Sequence, residues 1–563
     1  MGSFRATHQS GLPAINRRQL LQNAAAGAAV LALAGVGVDR VSASPATSGK
    51  LLATSGQGVA NTLIEGGALQ ISALAPIVDA NRATQFLYDT LTSVDAATLL
   101  PKPNLATEWT ISEDGATYTF ALKPDVTFHD GTPLTSADVK FTFELLLNPE
   151  TASPYNPIFA GRILSVEAPD PLTAVFTLNG PVASFLVDLN AYSLAILPKH
   201  LVEGIAPAEF VSSEFAQSAP IGSGPFIFSS YTPGEALTLT ANPTYHGGAP
   251  KIEQYVLKFL ADTTAAYQQL KTGEVDVTQI SADFYEDATA QTNFTAATFD
   301  TLEQYIFGFN VDPEKGSPVL QDLAVRQAIA YAIDRQTIID RVFSGLGTLA
   351  IGTQPPISWA YQPDGITVNY DYDVEKAKST LEADGWVLGD GDIREKDGVK
   401  ASFTAIAGST RSTDQGALLA IQEFLAEVGI ELTPSIEEQS PLATQPGVRD
   451  FEAMLVSFTF AYDPDQSLAF DSAGIEAGYN LWGYNSPEAD DLLHRGLQAT
   501  SVEERTAIYT EFQNLILTDL PVFITHFSKG VTGVNNRVSG YNPSAVGYKW
   551  AAQSEAIEWS ITE

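Results

Sequence analysis

Residues 109–149 contain the pieces of one folding unit in chain order, and they constrain the possible folds more than any other part of the sequence. The segment Tyr118-Thr-Phe-Ala-Leu122 alternates large apolar with small residues, which is the period of a strand with one buried face. Val126-Thr-Phe128 resumes this alternation after a Lys-Pro-Asp break, so a second short strand is expected there.

A helix is predicted directly after this strand pair. Thr135 and Asp138 have the spacing of a capping box, in which a hydroxyl and a carboxylate satisfy free amides of the first turn. Leu134 and Val139 have the spacing of a hydrophobic staple. The apolar face of the helix is formed by Val139, Phe143, Leu146 and Leu147. None of these residues provides catalytic chemistry, so the unit identifies a scaffold and leaves the ligand open.

Further characteristic segments follow in order along the chain. They are Pro220–Phe226, Pro233–Tyr245, Gly247–Pro250, Leu270–Asp276, Tyr305–Asn310, Val325–Asp334, Tyr370–Lys378 and Gly385-Trp386. Together with residues 109–149, they resemble the extracellular solute-binding proteins of the peptide/nickel type, family 5, which serve ABC importers. The resemblance covers roughly residues 60–545.

This resemblance implies an α/β fold with two lobes, the large peptide-binding-like class of the type II periplasmic-binding-protein fold. Lobe I would comprise residues 59–304 plus 524–563, and lobe II residues 305–523. The chain would cross between lobes near Tyr305–Asn310 and return near Pro521–Phe527. Ligand-binding sites favour such interdomain clefts.

Cap and periodicity signals predict several helices within the proposed lobe II. Asp322, Asp334 and Asp373 each stand where an N-cap would precede an apolar-periodic segment. Pro487 is expected to open a further helix, and Glu503–Leu517 to form the last one.

The N-terminus has the pattern of an export signal. Asn16-Arg-Arg-Gln-Leu-Leu21 is a twin-arginine pattern, and Ala24–Val38 is a mildly apolar segment rich in alanine and glycine. Val41-Ser-Ala43 is a small-residue cleavage site, so residues 1–43 are predicted to be a signal peptide and residues 44–58 a flexible leader. The predicted location is the periplasm.

Composition excludes several classes of protein. The sequence has no cysteine, which excludes disulfides, thiol catalysis and lipoprotein anchoring. The net charge is −36, and because residues 1–43 carry four arginines against one aspartate, the remainder lies near −39. Nucleic acid is therefore not an expected partner, since phosphate binding needs a basic surface.

Enzymatic motifs such as GxSxG, HExxH and the P-loop are absent from the sequence. The histidines lack metal-ligand spacing, which disfavours nickel or haem, and no cofactor is predicted. The leading hypothesis is a monomeric, non-enzymatic binding protein that delivers an oligopeptide-type solute to the permease subunits of an ABC importer. A secreted acidic hydrolase is the alternative class, and a sensor that presents its ligand to a membrane receptor is a third.

The segment Phe458-Thr-Phe-Ala-Tyr-Asp-Pro-Asp465 is predicted to line the cleft. The resemblance implies an aspartate three residues before the Asp-Pro-Asp turn that binds the α-ammonium of a peptide, but this chain has Phe460 there. A buried ammonium needs a paired charge, and a phenylalanine face is a weaker substitute. Phe460, Tyr462 and Asp463 are therefore candidate ligand contacts, with Asp463 either replacing the anchor or building the turn.

An aromatic cluster supplies the other candidates. Tyr479, Trp482 and Tyr484 could contact sugar rings or ligand side chains through flat apolar faces, or could pack within a lobe. This cluster and Phe460 make an oligosaccharide the runner-up ligand. The family resemblance also places Val78 near extended ligands.

Overall fold

The computed structural model describes residues 61–68, 70–191, 194–389, 391–409, 411–438, 448–459, 461–543 and 553–562. The predicted signal peptide, the leader and Phe460 lie outside these residues. The strands are β1 (Thr62–Gly67), β2 (Thr92–Val94), β3 (Pro101–Pro103), β4 (Ala106–Ile111), β5 (Thr117–Leu122), β6 (Ile163–Asp170), β7 (Thr173–Leu178), β8 (Phe226–Thr232), β9 (Ala236–Ala241), β10 (Gln254–Phe259), β11 (Val277–Gln279), β12 (Phe294–Phe309), β13 (Gly347–Leu349), β14 (Val387–Leu388), β15 (Arg394–Lys396), β16 (Val399–Lys400), β17 (Ser402–Gly408), β18 (Glu431–Glu437), β19 (Ala453–Thr459), β20 (Val522–Asn535), β21 (Val538–Ser539) and β22 (Ser560–Ile561).

The helices are distributed between these strands. They are α1 (Arg82–Leu87), α2 (Ser136–Leu147), α3 (Asn156–Phe159), α4 (Phe185–Ala191), α5 (Lys199–Val202), α6 (Glu214–Gln217), α7 (Thr263–Thr272), α8 (Tyr285–Thr289), α9 (Pro318–Gln321), α10 (Leu323–Ala332), α11 (Arg335–Val342), α12 (Val374–Ala383), α13 (Ser412–Glu427), α14 (Ser467–Phe470), α15 (Ala473–Ala477), α16 (Pro487–Gln498), α17 (Val502–Asp519) and α18 (Gln553–Ala556). Among the described residues, no helix combines the length and the apolarity needed to cross a membrane.

One large mixed sheet runs through both lobes. Its strand order is β18-β17-β19-β12-β20-β11-β1-β10-β9-β8, with β13 added beside β20. The long strands β12 and β20 pair antiparallel from Phe294↔Asn535 to Gly308↔Val522, with register shifts around Gln304. A second sheet of order β4-β5-β7-β6 carries the unit that the sequence defined most clearly.

The first strand and the capped helix predicted for this unit are confirmed. β5 alternates half-buried and buried residues as expected. α2 begins after Thr135, whose backbone N–H donates to the Asp138 carboxylate at 2.8 Å, and the staple residues Leu134 and Val139 are buried. The predicted strand at 126–128 is wrong, because Thr127 makes only an isolated bridge to Pro133 across a tight turn.

The predicted caps in the second half of the chain are also confirmed. The side chains of Asp322, Asp334 and Asp373 accept hydrogen bonds from the amides of Ala324, Thr337 and Lys376, at the starts of α10, α11 and α12. Pro487 opens α16, and α17 covers the last predicted helix.

Separate apolar cores define the lobes. The main core of lobe I extends from Leu63 to Val277 and includes Trp559 near the end of the chain. Lobe II has two cores on opposite faces of the sheet, one containing Tyr305 and Phe307 and the other containing Ile306. The residue numbers of the lobe boundaries, 304 and 524, remain a prediction from the sequence.

Candidate functional site

The two lobes meet in a small apolar cluster. Val94, Leu99 and Val187 of lobe I pack with Leu302 of β12 and with Tyr462 of lobe II. Tyr462 is one of the sequence candidates and is almost fully buried in this contact. The cluster shows that the lobes are closed against each other, since apolar side chains from both sides share one buried patch.

Asp463 lies beside this cluster and is bound by an arginine. Its two carboxylate oxygens accept hydrogen bonds at 2.8 and 2.7 Å from the guanidinium of Arg505, and both side chains are buried. The Arg505 Nε–H donates to the carbonyl of Gly496 at 2.8 Å, and the guanidinium lies 5.1 Å from the ring centroid of Trp359. Burial acts to lower the pKa of Arg505, but the charge of Asp463 outweighs it. A ligand ammonium at Asp463 would therefore compete with a buried bidentate ion pair.

A carboxylate of lobe I faces this pair across the interface. Asp188 on α4 accepts a hydrogen bond from the Ser184 hydroxyl at 2.8 Å and is 3.2 Å from an Arg162 nitrogen. Burial, reinforced by the charges of Asp463 and Asp465, raises the pKa of Asp188 to about 6 despite Arg162 and Ser184. Burial also raises the pKa of Asp465. In the closed arrangement, carboxylates of lobe II are therefore close enough to raise the pKa of a carboxylate of lobe I.

A cavity of about 120 Å³ lies between the lobes next to these groups. Tyr118, Val182 and Leu186 line it from lobe I, and Trp359 and Arg505 line it from lobe II. On its margin, the backbone N–H of Ala183 donates to the carbonyl of Leu497 at 3.0 Å, which is a direct hydrogen bond between lobes. The lining is mostly apolar, so the cavity fits an uncharged group better than a charged one.

The aromatic candidates pack inside lobe II. Trp482 and Tyr484 belong to the core on the Ile306 side of the sheet. The Trp482 ring lies so close to Gly308 that a Cβ at that glycine would be 1.9 Å from it. The Tyr484 hydroxyl donates to Asp519 at 2.6 Å, and Tyr479 is also buried. Of the two interpretations left open by the sequence, packing within a lobe accounts for this burial.

The remaining candidates from the sequence are Val78 and Phe460. Val78 is in a turn of lobe I, where its side chain packs half-buried against the lobe I core. Phe460 lies outside the described residues, so a ligand contact by it remains a prediction.

Sequence reasoning missed Trp359, Tyr118 and Arg505. Arg505 lies near the start of α17 without a motif around it, and its partner Asp463 is 42 residues away. Trp359 lies between β13 and α12 and has no motif around it. Within the described ranges, no group of three or more histidine, cysteine, aspartate or glutamate side chains could hold a metal ion.

Comparisons with known proteins agree with this architecture. The model of the family described as "Bacterial extracellular solute-binding proteins, family 5 Middle" matches residues 101–475. The chain is 31% identical over 459 residues to the oligopeptide-binding protein AppA of Bacillus subtilis, covering 81% of this chain and 83% of AppA. The structure of AppA in complex with a nonapeptide superposes with a TM-score of 0.68 at 29% identity, covering 89% of this chain and 99% of that one.

NikZ from Campylobacter jejuni, solved in complex with Ni(L-His), superposes with a TM-score of 0.70 at 27% identity and covers 89% of this chain and 99% of NikZ. Members of one fold therefore hold chemically different ligands, and the scaffold alone does not select among them. The family model and the AppA relative each match most of the chain, and the chain belongs to family 5 of the bacterial extracellular solute-binding proteins.

Proposed function

We propose that this protein is the periplasmic peptide-binding component of an ABC importer. The ligand enters between the open lobes, the lobes close and exclude water, and the closed form delivers the ligand to the permease subunits. The observation that carries the proposal is the interlobe cavity beside Trp359, formed by side chains of both lobes and therefore complete only when they close. The naming of AppA as an oligopeptide-binding protein supports peptide as the solute.

The lining of the cavity favours a peptide with a large apolar side chain. An apolar cavity of about 150 Å³ accepts benzene in another protein, so the 120 Å³ available here suits a side chain of leucine size. The oligosaccharide alternative relies on an accessible aromatic platform, whereas Trp482 and Tyr484 are buried in the lobe II core. No bond of the ligand is made or broken, so the protein is proposed not to be an enzyme.

Isothermal titration calorimetry with defined peptides tests the proposal. The panel compares tri- to nonapeptides that carry leucine or phenylalanine with matched peptides of glycine and alanine, and includes oligosaccharides, nickel–histidine and haem. We expect binding of the apolar peptides, each recovered intact by mass spectrometry. Binding of sugars alone, or cleavage of the peptide, would contradict the proposal.

A cavity-filling variant locates the site. Ala183→Leu adds three carbons to a residue that lines the cavity and leaves the backbone hydrogen bond to Leu497 available. We expect weaker binding of leucine peptides and unchanged binding of alanine peptides. An equal loss for both peptide sets would indicate that closure, rather than the cavity, had been disturbed.

We propose that the protein is exported by the twin-arginine pathway and cleaved after Ala43. The product is proposed to be a periplasmic monomer without a lipid anchor. The support is the Arg17-Arg18 motif and the absence of cysteine from the sequence. A reporter fused to residues 1–43 should reach the periplasm, and replacing both arginines with lysine should retain it in the cytoplasm. Export of the lysine variant would refute this route.

A further inference from the structure

Gln304 on β12 is buried without a hydrogen-bond partner. Its exposed fraction is 0%, and neither its amide oxygen nor its amide nitrogen makes a hydrogen bond. In the part of the chain that the structure describes, no other side chain has two such atoms. Buried polar groups in folded proteins are nearly always paired, because an unpaired one loses its hydration without compensation.

The position of Gln304 is between the lobe II core and the interlobe contact. Gln304 pairs with Phe458 of β19 and with Phe527 of β20, which both belong to the lobe II core on the Ile306 side. Two residues earlier on the same strand, Leu302 is part of the cluster in which the lobes touch. Strand residues rise about 3.3 Å each, so Gln304 lies within about 7 Å of Leu302 along the strand and close to the interlobe contact.

Both residues that pair with Gln304 across the sheet are apolar. Gln513 on α17 shows what a structural buried glutamine looks like in the same lobe. Its amide oxygen accepts from the N–H groups of Thr353 and Gln354 at 3.1 and 3.2 Å, and its nitrogen donates to the carbonyl of Ala360 at 3.3 Å. Gln513 organises a loop, whereas the amide of Gln304 organises nothing within the protein.

We propose that Gln304 is a ligand-recognition residue, whose side-chain amide pairs with a peptide bond of the solute held between the lobes. The inference rests on the proposed function. A carboxamide offers one acceptor and one donor side, and a peptide bond offers the complement of both. The register partners Phe458 and Phe527 are neutral, so neither supplies a charge to pair with an ammonium or a carboxylate, and a neutral ligand group is favoured here.

The test replaces Gln304 with methionine, which keeps the length and removes the amide. We expect the melting temperature of the ligand-free variant to be at least that of the wild type, because an unpaired amide has been removed. We also expect binding of apolar peptides to weaken about tenfold or more, which corresponds to about 1.4 kcal/mol. Gln513→Met is the matched control, and it should lower the melting temperature because it breaks three hydrogen bonds.

Peptides methylated at successive backbone nitrogens supply the ligand side of the test. One methylated position should weaken binding to the wild type and have a smaller effect on Gln304→Met, since the same contact cannot be lost twice. If Gln304→Met does not fold, Gln304→Leu takes its place, and a methylation scan of the wild type without any sensitive position overturns the inference.

The outcomes separate the two proposals. A wild type that binds no peptide overturns the proposed function and this inference together. A wild type that binds peptide, with a folded Gln304→Met of equal affinity, overturns this inference alone. A ligand-free variant that is less stable than the wild type, with its affinity unchanged, would assign Gln304 to packing.

Discussion

We expect the free energy of unfolding to depend on pH through His526, because this histidine is buried. It lies on β20, is 1% exposed, and stacks on Tyr305 with ring centroids 4.8 Å apart and an angle of 8°. Its Nδ1 is 3.0 Å from the Thr525 hydroxyl, and its Nε2 has no partner. Burial, together with the charge of Arg335, lowers the pKa of His526 from 6.5 to about 3. The imidazole is therefore neutral in the folded protein.

Acid should lower the stability, because His526 binds a proton more readily in the unfolded chain than in the folded protein. The unfolded chain takes up a proton at His526 below about pH 6.5, whereas the folded protein does not until about pH 3. The contribution of His526 to the free energy of unfolding is fully present above pH 6.5. It is lost as the pH falls from 6.5 towards 3. With these two pKa values, the loss at pH 5 relative to pH 7.5 is about 2 kcal/mol.

His526→Phe keeps an aromatic ring on Tyr305 and removes the titration. We expect the free energy of urea unfolding of the wild type to fall about 2 kcal/mol further than that of the variant between pH 7.5 and 5. Thr525→Val, which removes the hydroxyl next to the imidazole, is the control and should keep the wild-type slope. Parallel curves for the wild type and His526→Phe would refute the reasoning.

Further substitutions probe the ion pair, the lobe II core and a helix cap. Arg505→Met should lower the free energy of unfolding by about 3–5 kcal/mol, because the buried Asp463 loses its partner, and adding Asp463→Asn should recover part of it in the same urea titration. Gly308→Ala should cost about 1–3 kcal/mol, since its Cβ would meet Trp482; calorimetry showing no change in melting temperature would contradict that packing. Asp138→Ala should cost about 0.5–2 kcal/mol, because the cap of α2 is lost; circular dichroism melts measure it.

The parts of the fold that the sequence predicted are those determined within a few residues. The capping box of α2 joins Thr135 to Asp138, and Asp322 and Asp373 cap their helices within the first turn. Such contacts leave a pattern at fixed spacing, so they can be read before the fold is known. The strand expected at 126–128 failed because periodicity over three residues does not distinguish a strand from a turn.

The contacts that build the site are between distant residues and leave no such pattern. The sequence allowed Asp463 to bind a ligand or build a turn, but Arg505, which holds it, could not be identified without the fold. The aromatic cluster was equally ambiguous, because Trp482 is accommodated by a glycine on β12, far away in the chain. Burial of an aromatic residue depends on what lies opposite it, and only the tertiary structure supplies that.

One signal for the site was nevertheless present in the sequence. Gln304 immediately precedes the strand segment Tyr305–Asn310. It shares the alternation of Ile306 and Gly308 along the strand, so its amide lies on a face where the pattern predicts an apolar residue. Natural sequences break local rules mainly at functional or strained positions. The capped helices follow the local rules and describe the scaffold, whereas Gln304 departs from the apolar pattern of its own strand. Ligand recognition should therefore be sought where the pattern and the environment disagree, which on β12 is Gln304.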